Sequence, residues 1–214
     1  MNPDQDSFLF YFEKLIAFFS TEESSPDLTQ ARGEYFSLIN PFPPDGPLYE
    51  SRLALFLDWF IFDRKYRNGQ TAVQYYYEVH ASRLNPEENE IFRNFLNHLH
   101  SIFHVKQINT PEIKIQDLVD QQVYAVFERR SLNIQEGDLC DCRLIPFQGN
   151  IYFTGAFCYH PREVLPFLKR LLKPVQQKQA VATPILTRLV SLNNTWNLHY
   201  PHADPGEVYE KYGS

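Results

Sequence analysis

Cysteine, glycine and methionine are scarce, with three, eight and one among 214 residues. Three cysteines give no disulfide framework. Two of them stand in Cys140-Asp141-Cys142; on a strand they share a face but lean apart, which predicts free thiols in a reducing cytoplasm. Cys158 alone cannot complete four thiolates, so no metal site is expected. Also missing are a phosphate loop, a dinucleotide-binding glycine pattern, a nucleophile elbow and an HExxH pair. No cofactor and no catalytic residue are therefore assigned. No apolar run is long enough to cross a bilayer. The N-terminus carries Asp4, Asp6 and Glu13 in place of a basic region and an apolar run, so no secretory signal is expected.

What the chain has is aromatic and apolar mass: 43% hydrophobic and 15% aromatic residues, enough to fill a core. Its most concentrated stretch is Leu53-Ala54-Leu55-Phe56-Leu57-Asp58-Trp59-Phe60-Ile61-Phe62. A helix apolar on every side is buried on every side, so a core helix is predicted over about 49–63. Asp58 alone breaks the run. Buried there, it needs a pairing partner, and Arg52, Arg64 and the tyrosines 75–77 are the candidate donors. A structural pairing outweighs a catalytic role.

Around this helix the periodicity predicts amphipathic helices at 6–20 and from Ser25-Pro26 to about 40. A break follows at Pro41-Phe42-Pro43-Pro44-Asp45-Gly46-Pro47. Thr71 opens a short helix, and Asn85-Pro86-Glu87-Glu88 is an N-cap with proline behind it and an acid at the third position. That helix is expected to reach about 102. Alternation then replaces helical spacing, giving four or five short strands at 103–109, 112–118, 121–129, 138–147 and 150–159. Helices return at about 162–173 and 184–197. The predicted fold class is α+β: an N-terminal helical part, a small antiparallel sheet or barrel, and C-terminal helices. The divisions are an acidic helical arm (1–40), core helices (48–102), sheet or barrel (103–160), C-terminal helices (161–198) and an irregular tail (199–214).

The net charge of −6 is unevenly spread. Residues 1–50 sum to −7, and the segment 162–188 is basic through Arg162, Lys169, Arg170, Lys173, Lys178 and Arg188. The acidic arm is expected to pack on the basic C-terminal helices, within one chain or across a homodimer.

The order FLDWFIFDRKYRNGQT, IFHVKQI, IQDLVDQQVYAVFERR and IQEGDLCDCRLIPFQGNIYFTGAFCYHP resembles the helical-plus-small-barrel region of bacterial SEC-C-type proteins. The likeness rests on the aromatic-acid helix from Trp59 to Asp63, on Asp117-Leu118, and on Gly137-Asp138 followed by Arg143-Leu144. It covers about residues 50–172 and implies architecture only. The SEC-C cysteine cluster is absent, so the group's metal binding does not carry over.

Two basic turns are the candidate binding residues: Arg64, Lys65, Tyr66 and Arg67, and Arg129 with Arg130. Cations beside an aromatic can meet phosphates and stack on bases, although such turns are more often solvated loops. The second turn departs from the cyclic-dinucleotide PilZ pattern in arginine spacing and in Gln135, and serves at most as an anion contact. His100 and His104 read as two unrelated histidines, and His199, His202 and Asp204 as a surface turn. The leading reading is a cytoplasmic, non-enzymatic protein-interaction module with an unidentified protein partner. The alternatives are nucleic-acid or nucleotide binding through the barrel and the basic turns, and an enzyme in which Asp58, Asp63 and a histidine such as His80 line a cleft.

Overall fold

The computed structural model describes residues 5–21, 25–40, 43 and 46–213. The expected break at 41–47 lies largely outside the described residues. The architecture is α+β. Helices α1 (Gln5–Phe19), α2 (Ser25–Leu38), α3 (Tyr49–Phe62), α4 (Ala72–His80) and α5 (Pro86–Phe95) precede five strands. The strands are β1 (Leu99–Asn109), β2 (Glu112–Asp117), β3 (Val123–Phe127), β4 (Leu139–Phe147) and β5 (Asn150–His160). After a 3-10 turn come α6 (Leu165–Leu171), α7 (Lys173–Gln176), α8 (Ala182–His199) and α9 (Pro205–Tyr212).

The sheet is antiparallel in the order β3-β2-β1-β4-β5. Its hairpin between β4 and β5 turns on Gln148 and Gly149, both at positive φ (46° and 82°), the geometry that matches strand twist in a two-residue loop. The sheet is strongly bent but open, which settles the sheet-or-barrel alternative. No ladder joins β3 to β5, although Phe127 and Tyr152 bring the two edges to a ring separation of 5.7 Å. Gln5 of α1 covers the end of β3: it accepts from the Arg129 backbone N–H at 2.7 Å and donates to Glu128.

Curling gives the sheet two buried faces. Phe103, Val105, Ile115, Cys140, Cys142, Leu144 and Phe153 fill the inner one. The outer face is covered by helices: Ile145, Phe147, Tyr152 and Cys158 pack with α1, α3 and α5, and Ile102 and Leu139 with α6, α8 and α9. Interior strand β4 is therefore buried at every position but Pro146. Cys140, Cys142 and Cys158 are free and buried.

Three expectations need correction. The fifth helix ends at Phe95, and β1 begins at Leu99 rather than 103. The tail is not irregular throughout, because Asp204 accepts from Glu207 N–H at 2.9 Å and caps α9. The acidic arm does pack on α8 through α2, but among the described ion pairs its charges are met elsewhere: Glu34 binds Arg64, Asp27 binds Arg67, and Lys14 binds Glu88. The described hydrogen bonds that join the arm to α8 are neutral, with Asn194 donating to the Ile39 carbonyl at 2.8 Å and Asn40 to Ser191 at 2.9 Å.

Candidate functional site

Where α3 crosses β1 and β4, five ionisable side chains gather around one guanidinium. Pairing of β1 with β4 sets His100 opposite Arg143, and the two-residue repeat turns Asp141 to the same outer face. From the helix side come Asp58 and, just past the helix end, Asp63. Arg143 has no solvent exposure. Its Nε donates to Asp58 Oδ2 at 2.7 Å, one terminal nitrogen to Asp63 Oδ2 at 2.5 Å, and the other to His98 Nδ1 at 2.8 Å. The Phe62 ring lies 4.7 Å beneath the guanidinium. Thus the partner of Asp58 is Arg143, and none of the donors expected from the sequence: Arg52 instead donates to Asn194 at 2.6 Å and to Asn193, and Arg64 to Glu34.

The protonation states follow from these contacts. His98 accepts from Arg143, so its own proton sits on Nε2. Burial, and after it the Arg143 charge, push its pKa down to about 3. Burial would also lower His100, but the Asp141 charge, opposed by Arg143, and hydrogen bonds to Asp141 and Asp63 outweigh it and raise the pKa to about 9. His100 is then an imidazolium, with Nε2 donating to Asp141 at 2.7 Å and Nδ1 directed at Asp63 at 3.5 Å. The 3.2 Å approach of Arg143 to His100 Nδ1 is therefore two donors sharing the Asp63 oxygen. Burial would raise the Asp63 pKa; the His100 bond and the Arg143 charge overcome it and hold the group at about 2. The enzyme reading had asked for Asp58 and Asp63 to meet a histidine. They do, but the histidine is His100, while His80 packs between Phe18 and Tyr76.

A family model described as a family of unknown function (DUF7986) matches residues 48–196, more than half of the chain. The chain belongs to DUF7986. The DUF7986 span contains the whole charged cluster, the five strands and most of α8, and leaves out α1, α2 and α9. No curated protein and no solved structure matches the chain.

Two open depressions are lined in part by α8. A cleft of about 420 Å³ has Arg52 at its floor and Tyr159, Phe157, Trp196, Asn193 and Asn197 among its walls. A groove of about 410 Å³ runs past Leu38, Trp59, Pro184, Thr187 and Arg188. Behind it a cavity of about 20 Å³ touches Asp58, His100 and Asp141.

The sequence-derived binding residues stand apart from these features and are mostly occupied. Arg64 makes a two-pronged pair with Glu34 (2.6 and 3.0 Å). Arg67 lies over Tyr66 at 4.9 Å and reaches Asp27 at 3.3 Å, and Arg130 binds Glu128 at 2.7 Å. Arg129 rests on the Phe127 ring, and Lys65 bridges through its backbone to Thr71. Tyr76 and Tyr152 are buried. Among the described residues no three His, Cys, Asp or Glu side chains stand where they could share a metal ion, and no helix is long and apolar enough to cross a membrane. Reasoning from sequence missed Arg143, His98, His100 and Asp141 as one group. Alternation puts Asp141 and Arg143 on one strand face, but nothing in the sequence brings that face to His100, Asp58 and Asp63.

Proposed function

We propose that the chain is a non-enzymatic protein-interaction module that receives an acidic segment of a partner in the cleft over Arg52. The observation that carries this reading is the cleft's make-up. A cation fixed by two asparagines forms its floor, and aromatic rings and amides form its walls, the combination enriched where proteins recognise one another. The side chains capable of acid–base chemistry are by contrast bonded to one another inside the molecule, beside a cavity that admits no more than a water-sized group. Buried free thiols suit a reducing cytoplasm. The likeness to bacterial SEC-C-type proteins bears on architecture alone.

Nucleic-acid binding loses support, because Arg64, Arg67 and Arg130 already face carboxylates. Capture from native lysate with the wild-type chain and with Asn197→Trp, which fills the cleft, tests the proposal. A bound protein that the variant no longer retains is expected. Equal capture by both, or a salt-sensitive shift of labelled RNA or DNA with no protein bound, overturns it.

A further inference from the structure

Each of two buried carboxylates in the cluster spends one oxygen on an internal cation and leaves the other idle. Asp58 Oδ2 accepts from Arg143, and Asp141 Oδ1 from His100. Asp58 Oδ1 and Asp141 Oδ2 are buried with no partner at all. The two residues are 5% and 1% exposed, so solvent does not make up the deficit. A buried acceptor without a donor is costly. Both residues line the same cavity of about 20 Å³, with Tyr35, Trp59, His100 and Thr187.

Thr187 adds a third acceptor. Its hydroxyl proton goes to the Thr183 carbonyl at 3.0 Å, so towards any occupant Oγ can only accept. Neither His100 nor Arg143 donates to these two oxygens; their described bonds go to Asp58 Oδ2, Asp63, His98 and Asp141 Oδ1. Three acceptors around one small space match a group with three protons. Water has two, and a primary ammonium has three. Tyr35 and Trp59, with ring centroids 5.2 Å apart, add aromatic surface that attracts a cation. Outside, the groove of about 410 Å³ shares Trp59 and Thr187 with the cavity and is otherwise walled by Leu38 and Pro184, which suits an alkyl stem.

We propose that Asp58, Asp141 and Thr187 form a subsite for the ammonium head of a primary alkylamine, with its apolar stem lying in the groove along Trp59. The subsite is separate from the Arg52 cleft and stands or falls without it. Charge complementarity and the acceptor count together favour an amine over a neutral or anionic ligand.

The chain contains two tryptophans, so the indole N–H signals report on the two sites separately: Trp59 on this one and Trp196 on the cleft. Titrating isotope-labelled full-length protein with n-butylammonium should move the Trp59 signal saturably and leave that of Trp196 in place. Tetramethylammonium, which has no N–H, and 1-butanol, which has no charge, should not move it. Thr187→Val, at a half-buried position and of equal size, should weaken binding about tenfold, as expected for one charge-assisted hydrogen bond. Nα-acetyl-lysine methylamide separates the two sources of such a group. Binding tighter than that of butylammonium points to a partner's lysine, and weaker binding to a free amine. No saturable shift, meaning that the cavity takes water only, overturns the proposal. So does an equal shift with tetramethylammonium or butanol, or an affinity unchanged by Thr187→Val.

Discussion

Replacing Arg143 by methionine isolates what holds the interior together. The change keeps an unbranched stem over Phe62 but removes the donors to Asp58, Asp63 and His98. Two carboxylates whose side chains are only 6% and 7% exposed would lose their cation. Breaking a buried pair by removing one partner costs about 3–5 kcal/mol. A fold of this size has only about 5–15 kcal/mol in total, so the variant should be folded but marginal. The loss should also depend on pH. Without Arg143 the carboxylates can be neutralised by protonation, so the cost should be smaller at pH 5 than at pH 8. Adding Asp58→Leu to Arg143→Met should recover part of the loss, because the pair is then removed rather than stranded. Urea unfolding followed by far-ultraviolet circular dichroism measures all three proteins. A loss below about 1 kcal/mol at pH 8, or an Asp58→Leu effect that simply adds, would refute the network as the organising contact.

Other outcomes are equally specific. The raised His100 pKa, about 9 against an ordinary 6.5, contributes stability that is complete below pH 6.5 and lost as pH rises through 9; the lowered His98, at about 3, costs stability as pH falls below 6.5. The urea midpoint should therefore peak near pH 6.5, and His100→Gln should flatten the alkaline limb. Phe60→Ala, at a position 1% exposed, should cost about 3–5 kcal/mol in the same assay, and a variant within about 1 kcal/mol of wild type would contradict the central placing of α3. Glu34→Gln should cost no more than about 1 kcal/mol, because its carboxylate is 41% exposed and its pair with Arg64 lies at the surface. Burial raises the thiols of Cys142 and Cys158, the latter to about 11, so a thiol reagent should label neither at pH 8 until urea is added.

Local signals in the sequence were strong wherever chemistry fixes the backbone. Asn85-Pro86-Glu87-Glu88 makes the capping box predicted for it, with Asn85 Oδ1 accepting from Glu88 N–H at 2.9 Å. Gln148-Gly149 turns β4 into β5, and the five strands lie within a few residues of their expected bounds. The charged cluster was not legible, because its members are up to 85 positions apart and meet only through the register of β1 on β4. Arg143 also hides in a strand buried on both faces, where alternation gives no polar side to look for. Charge totals misled for a related reason. Glu34 and Asp27 found nearer partners in the turn at 64–67, and a surface pair is too weak to choose between distant segments.

By the proposed function, an acidic partner segment enters the cleft over Arg52. This is tested most directly by following the Trp196 indole N–H signal while an aspartate- and glutamate-rich peptide is added at low salt. A saturable shift of Trp196, weakened by added salt, is expected, with Trp59 unmoved. A still Trp196 signal, or an equal shift with a lysine-rich peptide, would contradict it.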